Sequence, residues 1–411
     1  MIPIKVAGQP MAEPRSPATA ALQYLQPGAL NLTALPPLSL YVHWPWCVRK
    51  CPYCDFNSHE GKGELPEQDY LDALRLDLEQ SLPLIWGRKI HTVFIGGGTP
   101  SLMSAAGLDR LMSDLRTLLP LELDAEITME ANPGTFEAER FKSYRESGIN
   151  RLSIGIQSFN AAHLKALGRI HDGDEALRAV EIAKSTFDNF NLDLMYALPS
   201  QTLDEARRDL ETALAFTPPH LSLYHLTMEP NTVFAKYPPA LPDDDLSADM
   251  QDMIADVTAG AGYQHYEVSA YAQPGRRARH NLNYWQFGDY LGIGAGAHSK
   301  ISFPHRVLRQ ARFKQPASFI EAARRGNPVQ EEHEIGRADM GFEFMLNALR
   351  LTGGFDPNLF CERTGMNISA ISRALNDAEA KGLIYRDHKL VKPTELGQRF
   401  LNDLQELFLA E

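Results

Sequence analysis

The sequence predicts an α/β chain: a partial (β/α)6 barrel followed by a small winged-helix-like C-terminal domain. Three observations carry this. Short β-rich runs alternate with amphipathic helical stretches from residue 38 to about 300, the pattern of βαβ units on a parallel sheet. Six such units fall short of the eight in a closed barrel, which favours a partial barrel over a doubly wound sheet. From about Ile335 the alternation gives way to helices and one short hairpin.

The elements follow in order. Residues 1–37 are rich in Pro, Ala, Gly and Gln, and residues 16–42 carry no Asp, Glu, Lys or Arg. Prolines 17, 27, 36 and 37 interrupt any apolar core, so this stretch reads as a flexible tail and not as a secretory leader. Strands are expected at Leu38–Trp44, His91–Ile95, Ala125–Met129, Arg151–Ile156, Asn191–Met195 and His220–Tyr224. Helices are expected over 67–82, where Tyr70, Leu71, Leu74 and Leu78 form one stripe, and over 105–118, 136–147, 160–183 and 202–214. The barrel and its extension would end near 300, with a helical connector over 301–334. The last unit, 335–411, would hold helices over 335–350, 356–364 and 368–381, a hairpin over 382–393 and a final helix over 394–409.

In such a fold the chemistry belongs at the C-terminal ends of the strands. The polar punctuation falls there: a cysteine loop after the first strand, Gly96-Gly97-Gly98-Thr99-Pro100 after the second, and Glu130-Ala131-Asn132-Pro133 after the third. Gln157 and Asp193 end the fourth and fifth.

The cysteine loop has Cys47, Cys51 and Cys54 in C-x3-C-x2-C spacing. Thiolates so close together suit a compact inorganic centre. A four-iron cubane normally takes four cysteines, and Cys361 lies far away in another predicted unit, so one iron would stay open to an exogenous ligand. The lesser alternative from spacing alone is a structural zinc with His43 or His59 as fourth ligand.

With Tyr53 before the last cysteine, on the first strand of a partial barrel, the signature resembles the radical S-adenosylmethionine superfamily. Tyr41-Val-His43, the Gly-rich turn, Glu130-x-x-Pro133, Gly155-Ile-Gln157, Asn191-Leu-Asp193 and Leu291-Gly-Ile-Gly294 are similar, in that order, to the oxygen-independent coproporphyrinogen III oxidase-like family. The resemblance spans about 38 to 400. It implies a [4Fe-4S] cluster on Cys47, Cys51 and Cys54. S-adenosyl-L-methionine would be its exchangeable ligand, within reach of Tyr41, Tyr53, Gly97, Gly98, Thr99, Glu130, Gln157, Arg169 and Asp193. Gly N–H groups would donate to the cofactor carboxylate, Arg169 would pair with it, and the two acids would suit its sulfonium and ribose.

Two departures separate the chain from the oxidase. Phe56 stands where the oxidase has a further cysteine, and the N-terminal tail is short. Both resemble the sister branch of radical-SAM heme chaperones, as does His280-Asn281-Leu282-Asn283-Tyr284-Trp285. That branch implies heme as cargo, heme-acceptor proteins as partners and His280 as a heme ligand, against a polar-network role for His280 with Tyr284 and Trp285 in the core. His225, after the sixth strand, is a second candidate. Radical decarboxylation of coproporphyrinogen III, or of a related tetrapyrrole, is the alternative activity. Trp44-Pro45-Trp46 replaces the usual aliphatic-Pro-Phe and would reshape the apolar cover of the cluster.

Charge and composition narrow the classes further. The 411 residues carry 40 Lys+Arg against 52 Asp+Glu, a formal charge of −12, which argues against nucleic acid or anionic lipid as partner. Four cysteines cannot make a disulfide framework and point to a reducing compartment, the cytoplasm. No apolar run is long enough for membrane insertion. Over 335–411 acids slightly outnumber bases, so a winged helix there would serve the barrel mouth or a protein partner and not DNA. A homodimer stays open.

Overall fold

A computed structural model describes residues 30–134 and 138–409. Most of the predicted tail, and the start of the helix expected over 136–147, lie outside the described residues. The strands are β1 (Leu38–Trp44), β2 (Trp46–Cys47), β3 (His59–Glu60), β4 (Ile90–Gly97), β5 (Leu121–Ala131), β6 (Arg151–Gln157), β7 (Phe190–Tyr196) and β8 (His220–His225). Beyond them come β9 (Gln264–Glu267), β10 (Ala270–Ala272), β11 (Asp289–Ile293), β12 (His298–Phe303), β13 (Arg306–Arg312) and β14 (Val329–Glu334), with the hairpin β15 (Ile384–Arg386) and β16 (Val391–Pro393) near the end.

Twelve strands form one sheet in the order β14-β13-β12-β11-β1-β4-β5-β6-β7-β8-β10-β9. The run from β11 to β8 is parallel throughout. Six βα units thus build the expected partial barrel, and β11 adds a seventh parallel strand beside β1. Along β1, Leu38, Leu40, Val42 and Trp44 are buried in the main core, while Tyr41 meets Phe94 of β4 across the barrel interior. Helix Glu67–Ser81 buries Tyr70, Leu71, Leu74 and Leu78, the predicted stripe. Helix Leu203–Ala215 starts at a capping box of Thr202 and Glu205.

The single helix expected over 160–183 is two, Ala161–Ala166 and Gly173–Thr186. Gly168 takes φ +68° between them, and a Cβ there would stand 2.8 Å from Pro52 Cδ of the cysteine loop. Asp172 then caps the second helix with Glu175. The break brings Arg169 toward the cysteines.

Three further expectations need correction. Residues 301–334 are not a helical connector: β12, β13 and β14 extend the sheet antiparallel, and Pro316–Arg324 is the one helix among them. The final helix breaks at Phe400 into Glu395–Arg399 and Leu401–Glu406. The end of the predicted tail is ordered by apolar burial. Leu30 and Leu32 enter a second core with Phe287, Val307, Phe344 and Phe360, and the Leu32 N–H donates to Pro304 O.

That second core belongs to the C-terminal unit, made of helices Arg337–Ala348, Pro357–Thr364 and Ser372–Ala380 with the β15–β16 hairpin. It packs under the N-terminal ends of the barrel strands, against Phe287 just before β11 and Val307 early in β13. It contributes no residue to the lining of the cleft at the mouth, one of the two roles expected for it, the other being contact with a protein partner. Among the described residues no helix is long and apolar enough to cross a membrane.

Candidate functional site

The cysteine loop is tied down from several sides. The β2 strand pairs parallel with β3, Gly61 N–H donates to Cys47 O at 2.9 Å, and Asn57 Nδ2 donates to Ala295 O and Lys314 O. Phe234 N–H donates to Pro52 O at 3.0 Å. The Tyr53 ring sits 6.3 Å from Phe234, in a small apolar cluster with Leu167, Leu198 and Leu226. Its phenol is pushed up by burial, so it stays protonated.

A cavity of about 380 Å³ opens beside this loop, within the ~300–1,000 Å³ usual for small-molecule sites. Cys47, Cys51, Tyr53 and Cys54 line it from the first strand's loop. Gly97, Gly98 and Thr99 line it from the end of β4, and Glu130 from β5. Gln157, Asp193 and the helix-break residue Arg169 line it as well.

The glycine turn acts otherwise than expected. Gly97 N–H donates to Glu130 Oε2 at 3.0 Å, Gly98 N–H to Trp44 O at 2.6 Å and Thr99 N–H to Trp46 O at 2.7 Å. The Gly98 and Thr99 donors fasten the start of the cysteine loop to the end of β4, and the Gly97 donor ties β4 to Glu130 of β5, so all three are engaged within the protein. At Gly98 a Cβ would lie 2.5 Å from Trp46 O, so this close backbone approach requires glycine.

The charged side chains fall into two groups. Arg169 donates from Nη2 to Asn132 Oδ1 at 2.6 Å and to Gly155 O at 2.7 Å, and its Nη1 lies 3.8 Å from Cys51 Sγ. Glu130 is half-buried on the cleft wall, and burial, with Asp193 nearby, raises its carboxyl to about 8. Asp193 is also raised by burial, against hydrogen bonds from Ser153 at 3.0 Å and Asn191 at 2.8 Å. Two half-buried acids in one cleft, both raised by burial, favour a cationic guest. Burial likewise pushes the Cys47 and Cys54 thiols up, partly offset by hydrogen bonds from Thr99 and Ser58. Bound metal would draw those protons off.

Gln157 has φ +66°, where the register between β6 and β7 shifts. The bulge re-aims its side chain into the cleft at a strained position.

Among the described residues no three Cys, His, Asp or Glu converge on one ion. A cubane gives each thiolate its own iron and does not need that convergence, whereas a mononuclear zinc does. His43, one proposed zinc ligand, is also occupied. Its Nε2 bonds Asn57 O at 2.9 Å, so Nδ1 accepts from Tyr41 OH at 3.0 Å, and burial lowers its pKa to about 4.

Two predicted residues stay outside the cleft lining. Tyr41 lies deeper in the barrel, bonded to His43. His280 lies at the other end, on helix Arg279–Trp285, which plugs the barrel floor. Its Nδ1 shares a 2.7 Å hydrogen bond with Thr92, and its backbone N–H donates to Glu126 at 3.1 Å. The ring stacks on Phe94 at 5.0 Å with Tyr284 edge-on at 5.1 Å, and the residue is 3% exposed. Nε2 has no hydrogen-bond partner among the described residues. His280 thus sits in a polar and aromatic network, with Tyr284 and Trp285 half-buried beside it.

Trp44 and Trp46 do not cover the cysteines. They pack edge-on with Tyr70 at 5.7 and 4.8 Å, on the helix side of the sheet. Sequence reasoning missed Asn132, which donates to Thr99 Oγ1 at 3.0 Å and accepts from Arg169. Its place at a strand end was the available signal. The end of β8, with Tyr224 and His225, and Glu229 in the loop beyond it also line the cleft.

Residues 41–213 match the radical SAM superfamily and residues 335–400 the HemN C-terminal domain. Heme chaperone HemW of Escherichia coli (strain K12) is 49% identical over 382 residues, covering 92% of this chain and 100% of that protein. Heme chaperone HemW of Bacillus subtilis (strain 168) is 34% identical over 380 residues, covering 91% and 99%. Among solved structures, coproporphyrinogen III oxidase (HemN) from Escherichia coli superposes with a TM-score of 0.79 at 24% identity, covering 95% of this chain and 93% of that one. At that identity the likeness speaks for the fold.

Proposed function

The chain belongs to the heme chaperone HemW family within the radical SAM superfamily, and from that premise we propose that it binds heme and passes it to acceptor proteins. In this reading Cys47, Cys51 and Cys54 hold a [4Fe-4S] cluster with S-adenosyl-L-methionine as exchangeable ligand. Three thiols and two half-buried acids, brought by three strand ends into one cleft, are the observation that carries the cofactor assignment.

When bound, the pair supplies one-electron chemistry at the cleft. The chain's own residues bind and orient. Arg169 sets a positive charge beside Cys51, and its link to Asn132 fixes its direction. Glu130 and Asp193 offer negative charge to a sulfonium once ionised, and Tyr53 closes one wall against the apolar cluster under helix Val233–Lys236. The Gly97–Thr99 turn holds the loop in place. A thiolate-held cluster needs a reducing compartment, which places the work in the cytoplasm. The acceptors are heme proteins, and a homodimer is compatible with this reading.

The test is anaerobic reconstitution of the whole chain and of Cys47→Ala. The variant is expected to lose bound iron, sulfide and the brown absorbance while keeping its far-UV circular dichroism. Full retention of iron and sulfide removes Cys47 from the ligand set. In parallel, heme with wild type should give stoichiometric uptake and transfer to an apo-heme protein. Conversion of coproporphyrinogen III to decarboxylated product would instead make the chain the oxidase.

A further inference from the structure

We infer that His220, below the cleft, is a positioning residue that orients the Asp193 carboxylate through a one-way line of hydrogen bonds from the floor helix. This rests on the cofactor reading above, in which Asp193 meets the exchangeable ligand. Asn191 and Asp193 stand two apart on β7 and so project from the same face of the sheet, into the barrel. Asn191 has Ser153 of β6 as its register partner on one side and His220 of β8 on the other. Asn191, His220 and Tyr266 of β9 are buried, and none of the three lines the cleft.

The Ala278 N–H, at the N-cap of floor helix Arg279–Trp285, donates to Tyr266 OH at 3.3 Å. A backbone N–H cannot reverse its direction, so the Tyr266 hydroxyl turns its proton to His220 Nε2 at 2.7 Å. His220 Nδ1–H then donates to Asn191 Oδ1 at 2.6 Å, which leaves Asn191 Nδ2 to donate to Asp193 Oδ1 at 2.8 Å. The same amide nitrogen donates to Ser153 Oγ at 2.8 Å, and that hydroxyl donates to Asp193 Oδ2 at 3.0 Å. The opposite tautomer of His220 would turn the Asn191 carbonyl oxygen onto Asp193, acceptor against acceptor.

Imidazole suits this place because its neutral form accepts on one nitrogen and donates on the other. Burial, with the Arg151 cation nearby, holds the His220 pKa well below its ordinary value, so the ring stays neutral. Burial raises the Tyr266 phenol, so it keeps the proton that His220 accepts. At the cleft end burial raises the Asp193 carboxyl, and the donors from Ser153 and Asn191 oppose that rise.

A carboxylate held by two fixed donors presents its remaining lone pairs in one direction, toward the guest. Ser222 also donates to Asn191 Oδ1, at 3.1 Å, the longer of the two contacts on that oxygen. Loss of His220 frees the Asn191 amide to turn its oxygen toward Asp193, which makes the anion costlier and weakens its hold on a guest.

The experiment compares wild type, His220→Leu, His220→Gln and Tyr266→Phe as full chains reconstituted anaerobically with iron and sulfide. Each is titrated with S-adenosyl-L-methionine and read by calorimetry and by electron paramagnetic resonance of the reduced cluster. His220→Leu removes both contacts and should weaken binding by about tenfold. His220→Gln keeps one acceptor and one donor, and should restore binding to within about threefold of wild type. Tyr266→Phe deletes only the hydroxyl and should weaken binding by about threefold or more, so it decides the matter if His220→Leu does not fold. Wild-type affinity and spectrum in the folded variants His220→Leu and Tyr266→Phe overturn the inference. Equal losses in His220→Gln and His220→Leu overturn it in favour of packing. No spectral change in wild type on adding S-adenosyl-L-methionine would overturn the cofactor reading itself, a result distinct from unaltered variants.

Discussion

Glu130 is the residue whose environment makes the sharpest demand. Its carboxyl receives the Gly97 N–H at 3.0 Å and is otherwise pressed by burial and by Asp193. Its folded value of about 8 stands above the ordinary 4.5, so the folded chain holds this proton more tightly than the unfolded chain. The associated stability is complete below about 4.5 and is lost as pH rises through about 8. Glu130→Gln removes that titration. In ligand-free protein the variant should gain on wild type between pH 5 and 8.5, at up to about 1.4 kcal/mol per pH unit. Urea denaturation at a series of pH values checks this, and a difference independent of pH would show that Glu130 does not titrate in that range. This residue was legible from the sequence because it ends a strand, and strand ends are local features. The +66° backbone of Gln157 and the engagement of the glycine N–H groups were not, since both depend on neighbours distant in sequence.

Elements show the same division between local and distant causes. The six βα units were readable because periodicity and capping residues act within one element, and their strand ends gave the cleft. β11 was not readable as a barrel strand: it is five residues long, and its place beside β1 depends on pairing across some 250 residues of chain. The ordered end of the tail was hidden for a related reason. Leu30 and Leu32 look like any Pro-flanked apolar pair until the second core supplies a surface for them. Leu30→Ala with Leu32→Ala should therefore loosen the C-terminal unit, at a cost of about 2–5 kcal/mol for each buried leucine. Hydrogen exchange should rise in helices Arg337–Ala348 and Pro357–Thr364 while β4 and β5 stay protected. Unchanged exchange in those helices would show that the segment rides on the unit without holding it. The glycine break at 168 carries a parallel expectation. Gly168→Ala forces a left-handed alanine and a contact 2.8 Å from Pro52, so it should cost roughly 1–3 kcal/mol and lower iron retention after reconstitution.

At the scale of the whole molecule, the cleft and the C-terminal unit occupy opposite ends of one sheet, and the joint between them is partly ionic. Glu267, the last residue of β9, is 3% exposed and is paired with Arg350 at 3.3 Å from beyond helix Arg337–Ala348. The same guanidinium lies over the Trp285 ring of the floor helix at 4.2 Å. Burial raises the Glu267 carboxyl and Arg350 draws it back down. Arg350→Ala thus strands a buried acid, whose pKa must climb further. The loss should reach up to about 3–5 kcal/mol, with the lost cation–π contact of about 0.5–2 kcal/mol included. It should be larger at pH 8, where the unpaired group must carry charge, than at pH 5, where protonation relieves it. Adding Glu267→Gln removes the charge, so the double variant should be more stable than Arg350→Ala alone and should lose the pH dependence. Iron retention at low temperature should stay at the wild-type level in both, because the cysteines lie at the far end of the barrel. A pH-independent loss in Arg350→Ala would assign the joint to packing on Trp285. Loss of iron in step with stability would instead show that the floor and the cleft unfold as one cooperative unit.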